Sequence, residues 1–229
     1  MIKDTTEFIK FQHILPSLAP HERFHVQLVA RSKYLPEGKK NIPSTVQLKN
    51  TFSRDSYEAF QTISDWSELA PFTTKNGIEI AKESLVVLFS PNPISIKKAA
   101  KDLALELLEF TFNEKLNDLN VIKRYHSVMS KAVSKAIFID LDIDTVGRPK
   151  EDILNEIFNI LPKEICVPVA TIGGAHLLIK KQDIPKSVRK SWYHAISKIP
   201  EVTLFSGKNQ TVNIPTPGTL QNGVLVKMI

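Results

Sequence analysis

Ala136-Ile137-Phe138-Ile139-Asp140-Leu141-Asp142-Ile143 is the stretch from which the fold is read. Its length and apolar content fit a strand, interrupted only by two acids two residues apart. Downstream, Pro149 stands where a helix begins, and Ile153, Leu154, Ile157, Phe158 and Leu161 recur at helical spacing. Cys166-Val167-Pro168-Val169-Ala170-Thr171 reads as a strand, Gly173-Gly174 as its turn, and Ala175-His176-Leu177-Leu178-Ile179 as the strand that returns. Pro185 opens a helix predicted over 185–198, and Val202-Thr203-Leu204 and Val224-Leu225-Val226 are short strands. The order is β-α-β-β-α-β, the split βαβ pattern of an antiparallel sheet backed by two helices. That pattern carries no function by itself.

Upstream of this stretch, the spacing predicts a helix over 5–14, a strand over 25–31 and a partner strand over 45–49. Pro36, Gly38 and Pro43 mark the loop between the two strands. Residues 54–66 read as a helix. Ser84-Leu85-Val86-Val87-Leu88-Phe89 is a continuous apolar strand that Ser90-Pro91-Asn92-Pro93 is expected to stop. Ile96, Ala99, Ala100, Leu103, Leu107 and Leu108 then give the clearest helix. Lys97, Lys98 and Lys101 lie mainly on its other face, as a solvated surface or as phosphate contacts. Residues 113–134 are polar and partly helical. The reading is an α+β chain, with an N-terminal α/β part over 1–134 and a C-terminal sheet over 135–229.

The composition bounds the function classes. A chain of 229 residues, 42% apolar and 24% charged, can bury a core and has no signature of disorder. No apolar run approaches the roughly 20 residues that span a bilayer, so no membrane partner is expected. Met1-Ile2-Lys3-Asp4-Thr5-Thr6-Glu7 lacks the apolar core of a signal peptide. The single Cys166 excludes an internal disulfide framework and a Cys-rich zinc site. A cytoplasmic protein is the expectation. The charge of +6 is compatible with a polyanionic partner and equally with an ordinary solvated surface. Beyond Glu201 there is no acid at all, and Lys208 and Lys227 are the only charges.

Two groups carry chemistry. Side chains at i and i+2 of a strand share a face, so Asp140 and Asp142 stand together, roughly 7 Å apart by strand geometry. Asp144 extends the row if the strand persists. Crowded carboxylates repel unless a cation lies between them, and hard oxygen ligands suit Mg²⁺ or Mn²⁺. The plain alternative is a strand end whose acids reach solvent. His176 begins the strand after Gly173-Gly174, a pair that permits a bend and the close approach of a ligand. A lone histidine among apolar neighbours is otherwise a structural residue. If the two strands are neighbours, the imidazole faces the acid pair, and acids with a metal plus a phosphate-holding histidine form a phosphoryl-transfer constellation. No Gly-rich phosphate loop and no GxSxG elbow is present.

Three segments, in order, resemble the archaeo-eukaryotic primase superfamily, the primase-polymerases. Phe138-Ile139-Asp140-Leu141-Asp142 is similar to its first motif, Thr171-Ile172-Gly173-Gly174-Ala175-His176 to its second, and Pro217-Gly218-Thr219 to a segment near the end of the catalytic core. Ser90-Pro91-Asn92-Pro93 is similar to the Asn-Pro turn of the N-terminal lobe. The resemblance spans residues 85–225. It implies a two-lobed core, an N-terminal α/β module packed on an RRM-like sheet. It also implies metal-dependent nucleotidyl transfer on a nucleic-acid template. Asp140 and Asp142 would be catalytic and hold Mg²⁺ or Mn²⁺. His176, Gly173, Gly174 and Thr171 would bind the nucleoside triphosphate. The family's third metal-binding acid has no counterpart between Val202 and Asn209, which leaves Glu201 or Asp144 for that role. The implied partners are single-stranded or template DNA, nucleoside triphosphates and a helicase or other replication protein of a mobile element. The alternative is a non-catalytic nucleic-acid-binding replication protein of the same fold. A plain RRM-like binder is disfavoured, because its central strand should present stacking aromatics where Asp140 and Asp142 stand.

Overall fold

The computed structural model describes residues 1–229 except 36–41, 67–68, 70, 75–76, 114–119, 146 and 206–210. The chain opens with α1 (Thr5–Ile14), whose first N–H groups are capped by the Asp4 carboxylate. It buries Phe8 and Phe11. Then come β1 (Glu22–Arg31), β2 (Thr45–Ser53), α2 (Ser56–Asp65), the short pair β3 (Phe72–Thr73) and β4 (Glu79–Ile80), and β5 (Leu85–Ser95). Two helices close this part, α3 (Ile96–Phe112) and α4 (Val121–Lys131). The C-terminal part runs β6 (Phe138–Asp144), α5 (Lys150–Phe158), β7 (Cys166–Thr171), β8 (Gly174–Lys180), α6 (Trp192–Ile196) and β9 (Val202–Phe205). It ends with β10 (Ile214–Pro215), β11 (Leu220–Gln221), β12 (Val224–Leu225) and β13 (Lys227–Met228).

The result is an α+β protein with antiparallel sheets. One sheet has the order β10-β5-β1-β2 and the other β13-β7-β8-β6-β9, each neighbouring pair antiparallel. Taken alone, β6, β7, β8 and β9 have the neighbour order fourth-first-third-second, which is the split βαβ arrangement expected for residues 136–204. Leu141, Ile143, Leu177 and Ile179 point to the helix side, where they bury with Ile153, Ile157, Trp192 and Ile196. The opposite face carries Asp140, Asp142 and His176. Its apolar members, Phe138, Val169 and Leu178, join the cluster built on Phe8, Phe11, Val26, Leu28 and Phe89. No helix among the described residues is long and apolar enough to cross a membrane.

Three elements differ from the sequence reading. The strand expected to stop at Phe89 continues to Ser95. Opposite β1 the register jumps from Arg23↔Ile94 to His25↔Ser90, so Pro91-Asn92-Pro93 bulges out and its prolines owe the ladder no N–H. The helix expected over 185–198 is confined to Trp192–Ile196. In the preceding turns Val188 N–H bonds Pro185 C=O and the Ser191 hydroxyl bonds Val188 C=O, local bonds that compete with helix. The expected strand 224–226 is split, Val224–Leu225 pairing with β11 and Lys227–Met228 with β7.

The bulge positions the second sheet. Asn92 is buried, its amide oxygen accepting from the N–H of Ile137 at 2.9 Å and of Phe138 at 2.8 Å. Its amide nitrogen donates to Phe138 C=O at 2.9 Å. The entry to β6, two residues before Asp140, is thus bonded to the first sheet by a single side chain.

After β9 the chain crosses back. Ile214–Pro215 pairs with Phe89 and Leu88 as the outer strand of the first sheet. Pro217-Gly218-Thr219 then clasps the start of the chain: Gly218 C=O accepts from Lys3 N–H at 2.7 Å and Asp4 N–H at 3.1 Å. Gly218 has φ of 84°, and a Cβ there would stand 2.4 Å from Asp4 C=O, so both backbone shape and crowding require glycine.

Candidate active site

Asp140 and Asp142 face a cleft of about 270 Å³ between the two sheets. In the β6–β8 ladder Asp142 lies directly opposite His176 and Asp144 opposite Gly174. Residues opposite one another share a face, so the imidazole stands among the acids. His176 Nδ1 lies 3.1 Å from both oxygens of Asp140, and its Nε2 lies 3.9 Å from an oxygen of Asp142. Asp140 is 3% exposed, so its charge is sequestered and its partner is this imidazole.

The electrostatics follow from that crowding. Burial lowers the basicity of His176, but its hydrogen bond to Asp140 and the charges of Asp140 and Asp142 outweigh it. The net shift is above the ordinary histidine value. Burial raises the Asp142 carboxyl, and Asp140 and Asp144 add to the rise against the opposing pull of His176 and Lys33. The imidazole is therefore the counter-charge of the acid row. Protonated, it donates at Nδ1 to Asp140 and presents Nε2 on the side of Asp142.

Gly174 permits this approach. A Cβ at that position would lie 1.9 Å from Ile143 C=O, so any side chain there would push β8 away from β6. Gly173 C=O accepts from both the N–H and the hydroxyl of Thr145 at 3.1 Å, fixing the turn against the end of the acid strand. Thr171 and Gly173 line the cleft with His176 and the three aspartates. Gly174, packed against Ile143, does not itself line the cleft, and Glu201 is engaged elsewhere, in an ion pair with Arg148 at 3.4 Å. It is not part of the cleft lining.

The opposite wall comes from the first sheet and escaped the sequence reading. Arg31, at the end of β1, and Lys33 and Tyr34, just beyond it, line the cleft. The Arg31 Nε is buried without a hydrogen-bond partner among the described residues. Gln221 bridges the walls: its amide nitrogen donates to the Tyr34 hydroxyl at 2.5 Å and its amide oxygen accepts from Ile172 N–H at 3.2 Å. The signal for Arg31 was present in the alternation of β1, where odd positions oppose the apolar Val26, Leu28 and Ala30. Nothing local marks Lys33 or Gln221.

The cleft thus joins two kinds of group. Acids on one wall offer hard oxygen donors, and a guanidinium with an unsatisfied N–H faces them with a lysine beside it. Among the described residues, no group of three or more His, Cys, Asp or Glu side chains is gathered as a ready metal site. The donor set fits a hard divalent cation at Asp140 and Asp142, the pair whose mutual repulsion a cation would relieve. Buried Cys166, its thiol pushed up to about 12 by burial, belongs to the core and offers no nucleophile here. Comparison of the chain with family models, with curated proteins and with solved structures returned no match.

Proposed function

We propose that the cleft binds a nucleoside triphosphate and transfers its nucleotide to a nucleic-acid strand, in the manner of a primase-polymerase. One observation carries the reading. An acid pair backed by a histidine, Asp140, Asp142 and His176, faces Arg31, whose Nε has no partner among the described residues, and the ammonium of Lys33 across one cleft. A triphosphate with its cation is a ligand that needs both walls. The split βαβ sheet packed on an α/β part agrees with the two-lobed core that the sequence resemblance implies.

In this reading Asp140 and Asp142 hold Mg²⁺ or Mn²⁺, with Asp144 as the nearest further carboxylate. The cation supplies charge stabilisation at the reacting phosphate and makes a hydroxyl more acidic. Arg31 and Lys33 orient the phosphates, the guanidinium by its forked donors and the lysine as a point charge. His176, held by Asp140 at Nδ1, offers Nε2–H to a phosphate oxygen. Gln221 and Tyr34 keep the two walls in register, so that both grip one ligand.

Primer extension in Mn²⁺ with labelled nucleotides tests the reading. Asp140→Ala with Asp142→Ala should abolish incorporation while unfolding stays cooperative, at a lowered midpoint because the His176 imidazole loses its buried partner. Incorporation by the double variant would sink the assignment. His176→Ala should weaken triphosphate binding by about 1–3 kcal/mol, the scale of a hydrogen bond to a charged group.

A specific observation favours a second reading, a nucleic-acid-binding protein without turnover. Glu201 is committed to Arg148, so Asp144 is the remaining candidate for a third acid. Manganese binding measured by calorimetry separates the two. Under the first reading Glu201→Gln leaves metal affinity unchanged and Asp142→Asn removes it. Under the second, wild type itself takes up no manganese.

A further inference from the structure

We propose that a single nucleic-acid strand lies in a groove beside β1 that continues the cleft past Asn213, with its phosphates on Lys98 and Lys131. The inference rests on the reading above for the identity of the cleft's occupant.

Alternation along β1 sets out the path. Val26, Leu28 and Ala30 bury in the core on one face. The other face carries His25, Gln27, Val29 and Arg31 in a row of roughly 20 Å, six residues at strand rise. Arg31 lines the cleft, and His25 and Gln27 line a groove of about 660 Å³ beside it. Thr211 and Asn213 line both, so the two spaces adjoin. The Thr211 hydroxyl donates to Ser130 C=O, which ties this dividing segment to α4.

The interior of the groove offers acceptors. His25 Nε2 and the Asn50 amide oxygen are 2.5 Å apart, and the Asn50 amide nitrogen and His126 Nδ1 are 3.2 Å apart. An amide oxygen only accepts, so Nε2 carries the His25 proton and Nδ1 is a bare lone pair. Burial holds this imidazole neutral, its pKa lowered to about 4. Among the described residues His25 Nδ1 has no partner, and neither has the amide oxygen of Asn213. Asp102 adds a carboxylate to the same groove. Two orphaned acceptors and an acid call for a ligand rich in N–H and O–H groups, such as base amino groups and sugar hydroxyls. The exposed ammonium groups of Lys98 and Lys131 at the rim call for anions. A free phosphate meets only the rim, and a neutral sugar only the interior. A nucleic-acid strand has both features in each repeating unit, and its path from the groove leads to the acid pair.

Fluorescence anisotropy with a labelled single strand of about 12 nucleotides tests the groove. Lys98→Glu with Lys131→Glu should weaken strand binding about tenfold or more and flatten its salt dependence. Nucleoside triphosphate affinity should stay within about twofold, since neither lysine lines the cleft. Lys97→Glu with Lys101→Glu makes the same change of charge on exposed positions of α3 that do not line the groove, and should cost far less. Equal losses from both pairs, no loss from either, or no binding of the strand by wild type would overturn the groove. Wild type that incorporates no nucleotide, yet loses the strand selectively in Lys98→Glu with Lys131→Glu, would overturn the polymerase reading and leave the groove standing.

Discussion

Two buried side chains show how much one residue decides. Asn92 makes three hydrogen bonds to the entry of β6, and Asn92→Ala leaves two N–H groups and a carbonyl without partners. The expected cost is about 2–4 kcal/mol, read as a lowered denaturant midpoint with an unchanged slope. His25 carries the pH dependence. Its pKa is lowered to about 4 by burial, so between the ordinary 6.5 and 4 the unfolded chain binds the extra proton. The His25 contribution is therefore complete above 6.5 and falls as the pH drops toward 4, by about 3 kcal/mol in all, while His176, raised by its acid partners, shifts stability the opposite way. Urea titrations at pH 7 and pH 4 check this, and His25→Gln should flatten the difference if it folds. Asp140, Asp142 and His176 were legible as candidates because period-two alternation and a glycine turn are local signals. Arg31, Lys33, Tyr34 and Gln221 were not, because what makes them site residues is the approach of a distant segment. Gln221 meets Tyr34 across 187 positions of sequence.

At the scale of elements, helix 5–14 was readable to the residue, since Asp4 caps it and Phe8 and Phe11 stripe it. The misreadings came where local chemistry and tertiary context disagree. Two prolines signalled an end to β5, and the sheet absorbed them in a bulge. Pro185 signalled a helix, and with Val188 as the single buried-leaning apolar residue of its first turns, nothing held one. The β6–β8 pairing is the element on which the acid–histidine site depends. Gly174→Ala would place a methyl against Ile143 C=O, so the strands must part or slip. The expected result is a loss of about 2–4 kcal/mol in stability together with loss of triphosphate binding. Thermal unfolding and calorimetry on the same sample check both. Gly173→Ala, with open space at its Cβ, is the control that should retain stability.

At the scale of the whole molecule, the division at residue 134 that the sequence suggests is crossed by the chain itself. Val212 and Ile214 complete the first core from beyond β9, and Phe138, Val169, Leu178 and Val226 pack into it. A fragment of residues 1–134 therefore lacks an outer strand and a share of its apolar interior. It is expected to show no cooperative thermal transition and poorly dispersed amide resonances, whereas mixing it with residues 135–229 should restore both. Gly218 adds a bond between the extremes, with Ile2 paired to Thr219 and Met228 N–H donating to Glu7 at 2.5 Å. That clasp has a consequence in time. The helix over Thr5–Ile14 reaches its final partners only when the segment after residue 212 has been made, so a closing contact such as Met228 to Glu7 spans 221 positions. Folding is then governed by the slow meeting of distant segments rather than by its readily formed helices. During synthesis the face that awaits Val226 and Met228 stays open until those residues have left the ribosome.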